Sequence, residues 1–174
     1  MTSELRIRRV TGAEALALCD ALADVLIDCV EGGASVSFML PLPREKALAF
    51  WRGVAEGVAR GERALLVAEL DGRVVGTAQL LLDTPDNQPH RADVAKMLVR
   101  RDARRRGVAQ RLLEAIDETA RAERRSVLVL DTVTGSDADR LYERAGWQRV
   151  GAIPNYALMP TGEFCAATFF HRQL

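Results

Sequence analysis

The segment running from Arg91 to Leu130 constrains this chain more than any other. Arg91 to Val99 reads as a strand, and Gly107 to Ala122 carries Val108, Leu112, Leu113 and Ile116 at helical spacing. Ser126 to Leu130 is then a β-branched and leucine run, too short for a helix and typical of a strand covered on both faces. Strand, helix and strand in that order make a parallel pair joined by a crossover helix. Upstream, Ala64 to Leu70 and Arg73 to Leu82 are β-rich runs separated by Asp71-Gly72, a hairpin signal that demands antiparallel neighbours. A single sheet holding both must be mixed.

The flanking elements follow from local signals. Leu5 to Val10 alternates apolar and basic residues, as a half-buried strand does, and Thr11 with Glu14 forms a capping box that opens a helix. Ala15, Cys19, Leu22, Leu26 and Cys29 give that helix one apolar stripe, which stops at Gly32-Gly33. Ala34 to Pro43 is irregular yet apolar, with Val36, Phe38, Met39 and Leu40 expected to be exposed. A second helix is expected from about Arg44 to Arg60, with Ala47, Trp51, Val54 and Val58 on one face and Trp51 in the core. Asp83 to Pro89 is a polar, proline-bounded loop. Ser136 with Asp139 caps a last helix ending at Gly146, and Trp147 to Ile153 and Phe164 to Arg172 supply two more strands. The expected order is β-α-α-β-β-β-α-β-α-β-β, in one domain over residues 1–174, with no internal repeat.

Composition narrows the function classes. The 24 basic side chains balance the 24 acidic ones, so no global field draws the chain to nucleic acid or to a membrane surface. The amino-terminal residues lack the apolar stretch of a signal peptide, and no segment reaches the roughly 20 apolar residues of a membrane span, so a cytoplasmic protein is expected. Cys19, Cys29 and Cys165 sit far apart in apolar segments, which fits core thiols better than a disulfide framework or a zinc site.

The chemistry concentrates where the parallel strand meets its helix, at Val99-Arg100-Arg101-Asp102-Ala103-Arg104-Arg105-Arg106-Gly107-Val108-Ala109. Such a junction presents unpaired backbone N–H groups and the positive end of a helix dipole to one point. Gly107 and Ala109 leave room for a diphosphate to approach the backbone, and the arginines add charge. An ordinary helix start with a solvated arginine cluster reads the same way. Nucleic-acid binding fits less well, because no aromatic residues interleave this short patch.

Arg104-x-x-Gly107-x-Ala109, placed in this element order, resembles the Arg/Gln-x-x-Gly-x-Gly/Ala pattern of the GNAT superfamily of acyl-CoA-dependent N-acetyltransferases. The resemblance covers essentially the whole chain. Gly32 to Met39 and Asp131-Thr132 ahead of Gly135-Ser136 are similar to the tabtoxin-resistance acetyltransferase branch. It implies a single-domain α/β GNAT fold whose mostly antiparallel sheet contains one splayed parallel pair. It also implies acetyl-CoA as cosubstrate, without a metal, bound by the amides of Arg105, Arg106, Gly107, Val108 and Ala109, with Arg104 at the signature position. Met97, Leu98 and Val99 would lie along the pantetheine arm, and an N–H near Leu98 would polarise the acetyl carbonyl. Many members carry asparagine seven residues before the helix tyrosine, where this chain has Gly135.

Acetyl transfer to an amine needs a base and an acid. Asp131, ending an apolar strand, is either that base or a cap bonding local amides; Tyr142 is either the acid or a packed aromatic. Asp93 would hold a substrate ammonium or pair with Arg91 or Lys96, and His90 would relay a proton or simply face solvent. The apolar loop Gly33 to Leu40, with Gly33, Ser35 and Phe38, is the candidate acceptor wall, although it could equally meet a second copy in a homodimer, and Glu31 is a further carboxylate expected to bind a cationic amine. The expected activity is acetylation of a primary amine on a small amino-acid-like molecule, a toxin or antibiotic among them. Acetylation of a peptide or protein amine and a non-catalytic acyl-CoA sensor are the alternatives.

Overall fold

The structure, a computed structural model, describes residues 4–174. Its strands are β1 (Leu5–Val10), β2 (Arg63–Leu70), β3 (Arg73–Leu81), β4 (Arg91–Val99), β5 (Val127–Val133), β6 (Gln148–Leu158) and β7 (Phe164–Gln173). They form one sheet in the order β1-β2-β3-β4-β5-β7-β6, antiparallel throughout except between β4 and β5. The helices are α1 (Gly12–Ala17), α2 (Cys19–Glu31), α3 (Arg44–Ala59), α4 (Val108–Ala122) and α5 (Asp137–Arg144).

Period-2 alternation divides the core into two layers. Leu65 and Val67 of β2 and Leu98 of β4 pack with Leu22, Leu26, Trp51 and Val54 of α2 and α3. Leu66, Leu80, Leu128 and Phe170 face the other way, against Leu112 and Ile116 of α4. Trp51 is completely buried, as its helical spacing suggests. At Gly76 a Cβ would stand 2.9 Å from the Leu98 carbonyl oxygen and 3.2 Å from a Val108 methyl, so only glycine lets β3, β4 and α4 meet this closely.

Three elements differ from the sequence expectation. The first helix is two: it breaks at Leu18 (φ −93, ψ 3), and α1 then lies against α3, where a Cβ on Gly12 would be 2.7 Å from Ala59 Cβ. The strand expected to end at Leu130 continues to Val133, because β7 pairs with it as far as Val133↔Ala167. Asp131 is therefore inside β5 rather than at its end. β6 runs past Ile153 to Leu158, since the register shift between Ile153 and Ala157 takes in Pro154 and an edge strand tolerates a residue without an N–H. Almost all of β6 is exposed, including Val150, Ile153 and Tyr156.

The thiols bear on no chemistry at the centre of the sheet. Cys19 and Cys29 are buried and Cys165 is half-buried; burial pushes the Cys29 thiol up to about 11, which keeps it protonated and inert. Among the described residues, no helix is long and apolar enough to cross a membrane.

Candidate active site

The parallel pair is stapled at one end and open at the other. β4 and β5 are in register only at Arg91↔Val127, Ala92↔Leu128 and Asp93↔Val129. Arg125 fixes this end: its guanidinium donates to the carbonyls of Leu82, Pro89 and Arg91 at 3.0, 2.6 and 3.1 Å and to the Thr84 hydroxyl at 3.2 Å. Beyond Asp93 and Val129 the strands part, although β4 stays on β3 to Val99 and β5 stays on β7 to Val133. Two strand edges thus face each other across a V, at the carboxyl ends where open sheets bind ligands. His90 lies exposed at the stapled end, its carbonyl accepting from Ser126 and Val127, which is the solvent-facing reading and places it away from the opening.

Past Val99 the chain makes a 3-10 turn over Arg101–Ala103, extends through Arg104 and enters two left-handed positions, Arg105 (φ 60) and Gly107 (φ 76). The first bond of α4 runs from Arg111 N to the Gly107 carbonyl, so among the described residues the amides of residues 105–110 have no backbone or side-chain acceptor. Gly107 is the N-cap without a capping side chain, and a Cβ built on it meets nothing within 4 Å. The loop is a concave row of donors at a positive helix end, with open space in front. No described carboxylate lies within ion-pair distance of Arg104, Arg105 or Arg106, whereas Arg100 pairs with Asp102 and Arg101 with Asp28. Arg104 turns back to donate to the Val99 carbonyl at 3.3 Å, bracing the loop on the strand that feeds it. These residues fit the diphosphate expected of them.

Asp131 and Tyr142 meet at the mouth of the V. Asp131 is solvent-facing and makes no side-chain hydrogen bond to another described residue; its carboxylate reaches only its own backbone amide, which is all that remains of the capping alternative. Desolvation raises its pKa, the nearby Lys96 ammonium opposes this, and Asp93 reinforces it. Tyr142 is 4% exposed, its ring 5.8 Å from those of Trp147 and Phe170, so the packing expectation holds for the ring. Its hydroxyl has no partner among the described residues, and burial together with Asp131 drives the phenol far above its ordinary range, so it stays protonated. Asp93 is the last paired residue before the strands part, and Arg91 holds it at 2.6 Å; the expected contact with Arg91 is therefore present, and one with Lys96 is not. Gly135 adopts φ +77, a conformation that asparagine also tolerates, so the departure at this position keeps the backbone and removes only the side chain.

The proposed wall folds over the same opening. Ser35 Oγ donates to the Leu158 carbonyl at 2.8 Å, and Leu40 N donates to the Pro160 carbonyl at 3.0 Å, tying the loop after α2 to the turn between β6 and β7. Phe38, expected to be exposed, is buried edge-on against Phe50 of α3 with ring centroids 5.2 Å apart. Gly33, at φ +93, starts the loop. Glu31 stands apart from this wall: it is 3.9 Å from Arg101 and borders a depression of about 360 Å³ on the flank of α2, with Asp24, Ile27, Asp28, Arg44 and Arg100. Lys96 and Phe50 belong to the site although sequence reading did not place them there. A bulge in β4 turns Lys96 toward Ser37, and alternation counted along the strand gives no sign of it.

The model of the Acetyltransferase (GNAT) family matches residues 32–147, and the chain belongs to that family. Among its relatives is the "Uncharacterized N-acetyltransferase in hisH-hisA intergenic region" of Azospirillum brasilense, 40% identical over 116 residues; the match takes in 66% of this chain and 65% of that protein, slightly under two thirds of the relative's length. Two solved structures share the fold nearly end to end. An N-acetyltransferase from Staphylococcus aureus Mu50 superposes with a TM-score of 0.80 at 19% identity, covering 98% of this chain and 99% of that one. The yncA acetyltransferase of Salmonella typhimurium, solved with its cofactor acetyl-CoA, gives 0.80 at 21% identity, covering 99% and 95%.

Proposed function

We propose that the protein transfers the acetyl group of acetyl-CoA to a primary amine of a small amino-acid-like molecule, by direct attack while both are bound. The observation that carries this reading is the parted edge of β4 and β5 lying next to the uncapped amides of residues 105–110. Those amides and Arg104 to Arg106 would hold the diphosphate, and Met97 to Val99 would offer a strand edge to the pantetheine amides.

Bound acetyl-CoA supplies an activated acetyl thioester. Asp131, its pKa raised by partial desolvation, accepts a proton from the amine so that a neutral nitrogen can attack, with Asp93 as a second carboxylate for the ammonium. A backbone N–H near Leu98 stabilises the charge that develops on the acetyl oxygen. As the carbon–sulfur bond breaks, Tyr142 donates its proton to the departing sulfur, and the second proton, which the nitrogen loses as the amide forms, restores the phenol. The products are amide, free thiol and the proton first taken up by Asp131. The loop tied across the opening by Ser35 and Leu40 favours a small acceptor over a protein segment. The likeness of Gly32 to Met39 and Asp131-Thr132 to the tabtoxin-resistance branch supports an amino-acid-like toxin or antibiotic.

Thiol release from acetyl-CoA over a panel of small amines, peptides and protein amines tests this. The reading expects turnover on small amines. Turnover confined to peptides would move the assignment to protein acetylation, and acetyl-CoA binding without thiol release on any amine would make the protein a sensor.

A further inference from the structure

Lys96 projects a positive charge into the acceptor side of the V, and no described carboxylate lies within ion-pair distance of it. β4 bulges here: Ala95 faces Gln79 and Leu98 faces Thr77, so Lys96 and Met97 together oppose Ala78. Lys96 takes φ +51, a left-handed conformation that strains a non-glycine residue and therefore marks a position held by its surroundings. The side chain is half-buried, and its Nζ donates to Ser37 Oγ at 3.1 Å and lies 5.9 Å from the centroid of the Phe50 ring. That hydroxyl takes one of three N–H donors and brings no charge. Desolvation disfavours the ammonium, Arg63 adds repulsion, and Asp131 attracts it from beyond contact distance.

An ammonium partly withdrawn from water is best compensated by an anion with good hydrogen-bond geometry. Asp131 on β5 provides the opposite sign, while Asp93 on β4 is already paired with Arg91, so the acceptor side carries one cation site and one anion site. Resting on the acetyl-transfer reading above, we propose that Lys96, braced by Ser37, is the specificity-determining residue that binds an anionic group of the acceptor while Asp131 faces its amine. The acceptor is then a zwitterion, with a carboxylate or similar oxyanion a few bonds from the nitrogen that is acetylated.

The test uses α-, β- and γ-amino acids, each beside its own carboxamide, with the parent protein, Lys96→Met and Lys96→Arg. For the parent, kcat/KM should favour the carboxylate over the carboxamide by about 10-fold or more. Lys96→Met should collapse that ratio toward one, chiefly by raising KM for the carboxylate, and Lys96→Arg should restore part of it. Circular dichroism and the acetyl-CoA-induced shift in melting temperature establish that each variant is folded and binds the cosubstrate. A parent that acetylates the carboxamides as well as the acids overturns the proposal and leaves amine acetylation intact. So does a Lys96→Met variant that loses kcat equally on both while keeping their ratio, since Lys96 then acts on Asp131 or on proton transfer. Absence of turnover on every amine overturns both readings together.

Discussion

At the scale of single residues, the proposed chemistry rests on Asp131, solvent-facing with a pKa raised by partial desolvation, and on Tyr142, buried and protonated. Tyr142 keeps its proton at any working pH, and a lost proton donor commonly slows a reaction ~10²–10⁴-fold. Tyr142→Phe retains the ring that packs on Trp147 and Phe170, so it should lower single-turnover acetyl transfer by such a factor while leaving acetyl-CoA affinity unchanged. A parent-like rate would make Tyr142 a packing residue. For Asp131 the pKa is raised in the fold. Its contribution to stability is then complete below the unfolded value of about 3.9 and is lost as pH rises through the higher folded value. At neutral pH the ionised group burdens the fold, and Asp131→Asn should melt no lower than the parent while losing most of its turnover, with partial recovery at alkaline pH as free amine accumulates. A lower melting temperature with an unchanged rate per folded molecule would identify a structural aspartate. Asp131 drew attention in the sequence as a carboxylate in an apolar run, and Tyr142 through the family resemblance of its helix. Lys96 was not, because its placement arises from a bulge that the pattern of β4 does not encode.

At the scale of elements, the loop between β4 and α4 carries the cosubstrate assignment. Its uncapped amides, the left-handed Gly107, and Arg105 and Arg106, which have no described carboxylate partner, are local features, but Arg104-x-x-Gly107-x-Ala109 became a diphosphate reading only through its place in the element order. Gly107→Glu puts an anion and a strained backbone where the diphosphate must approach. Since a ligand that binds only the folded state raises its apparent stability, acetyl-CoA should shift the melting temperature of the parent and fail to shift that of the variant. An equal shift in both would remove the cosubstrate from this loop. Elements whose limits depend on partners were less legible. β5 is prolonged by β7, β6 continues past Pro154 because no described strand pairs with its outer edge, and the first helix breaks where α1 packs on α3. The apolar loop after α2 was read as exposed, yet Phe38 is covered by Phe50 of α3.

At the scale of the whole molecule, one discontinuity organises the rest: two parallel strands held together at Arg125 and parted beyond Asp93. The crossover helix and the hairpin made the mixed sheet legible, but how far β4 and β5 remain paired depends on long-range contacts that no local pattern records. The account places the cosubstrate in that opening, and amide hydrogen exchange with and without saturating acetyl-CoA measures this directly. Amides of residues 105–110, which have no acceptor among the described residues, should exchange about tenfold or more slowly with acetyl-CoA bound, with added protection along 97–99 of β4 and little change in β1. Unchanged exchange at 105–110, or protection confined to the depression beside α2, would contradict it.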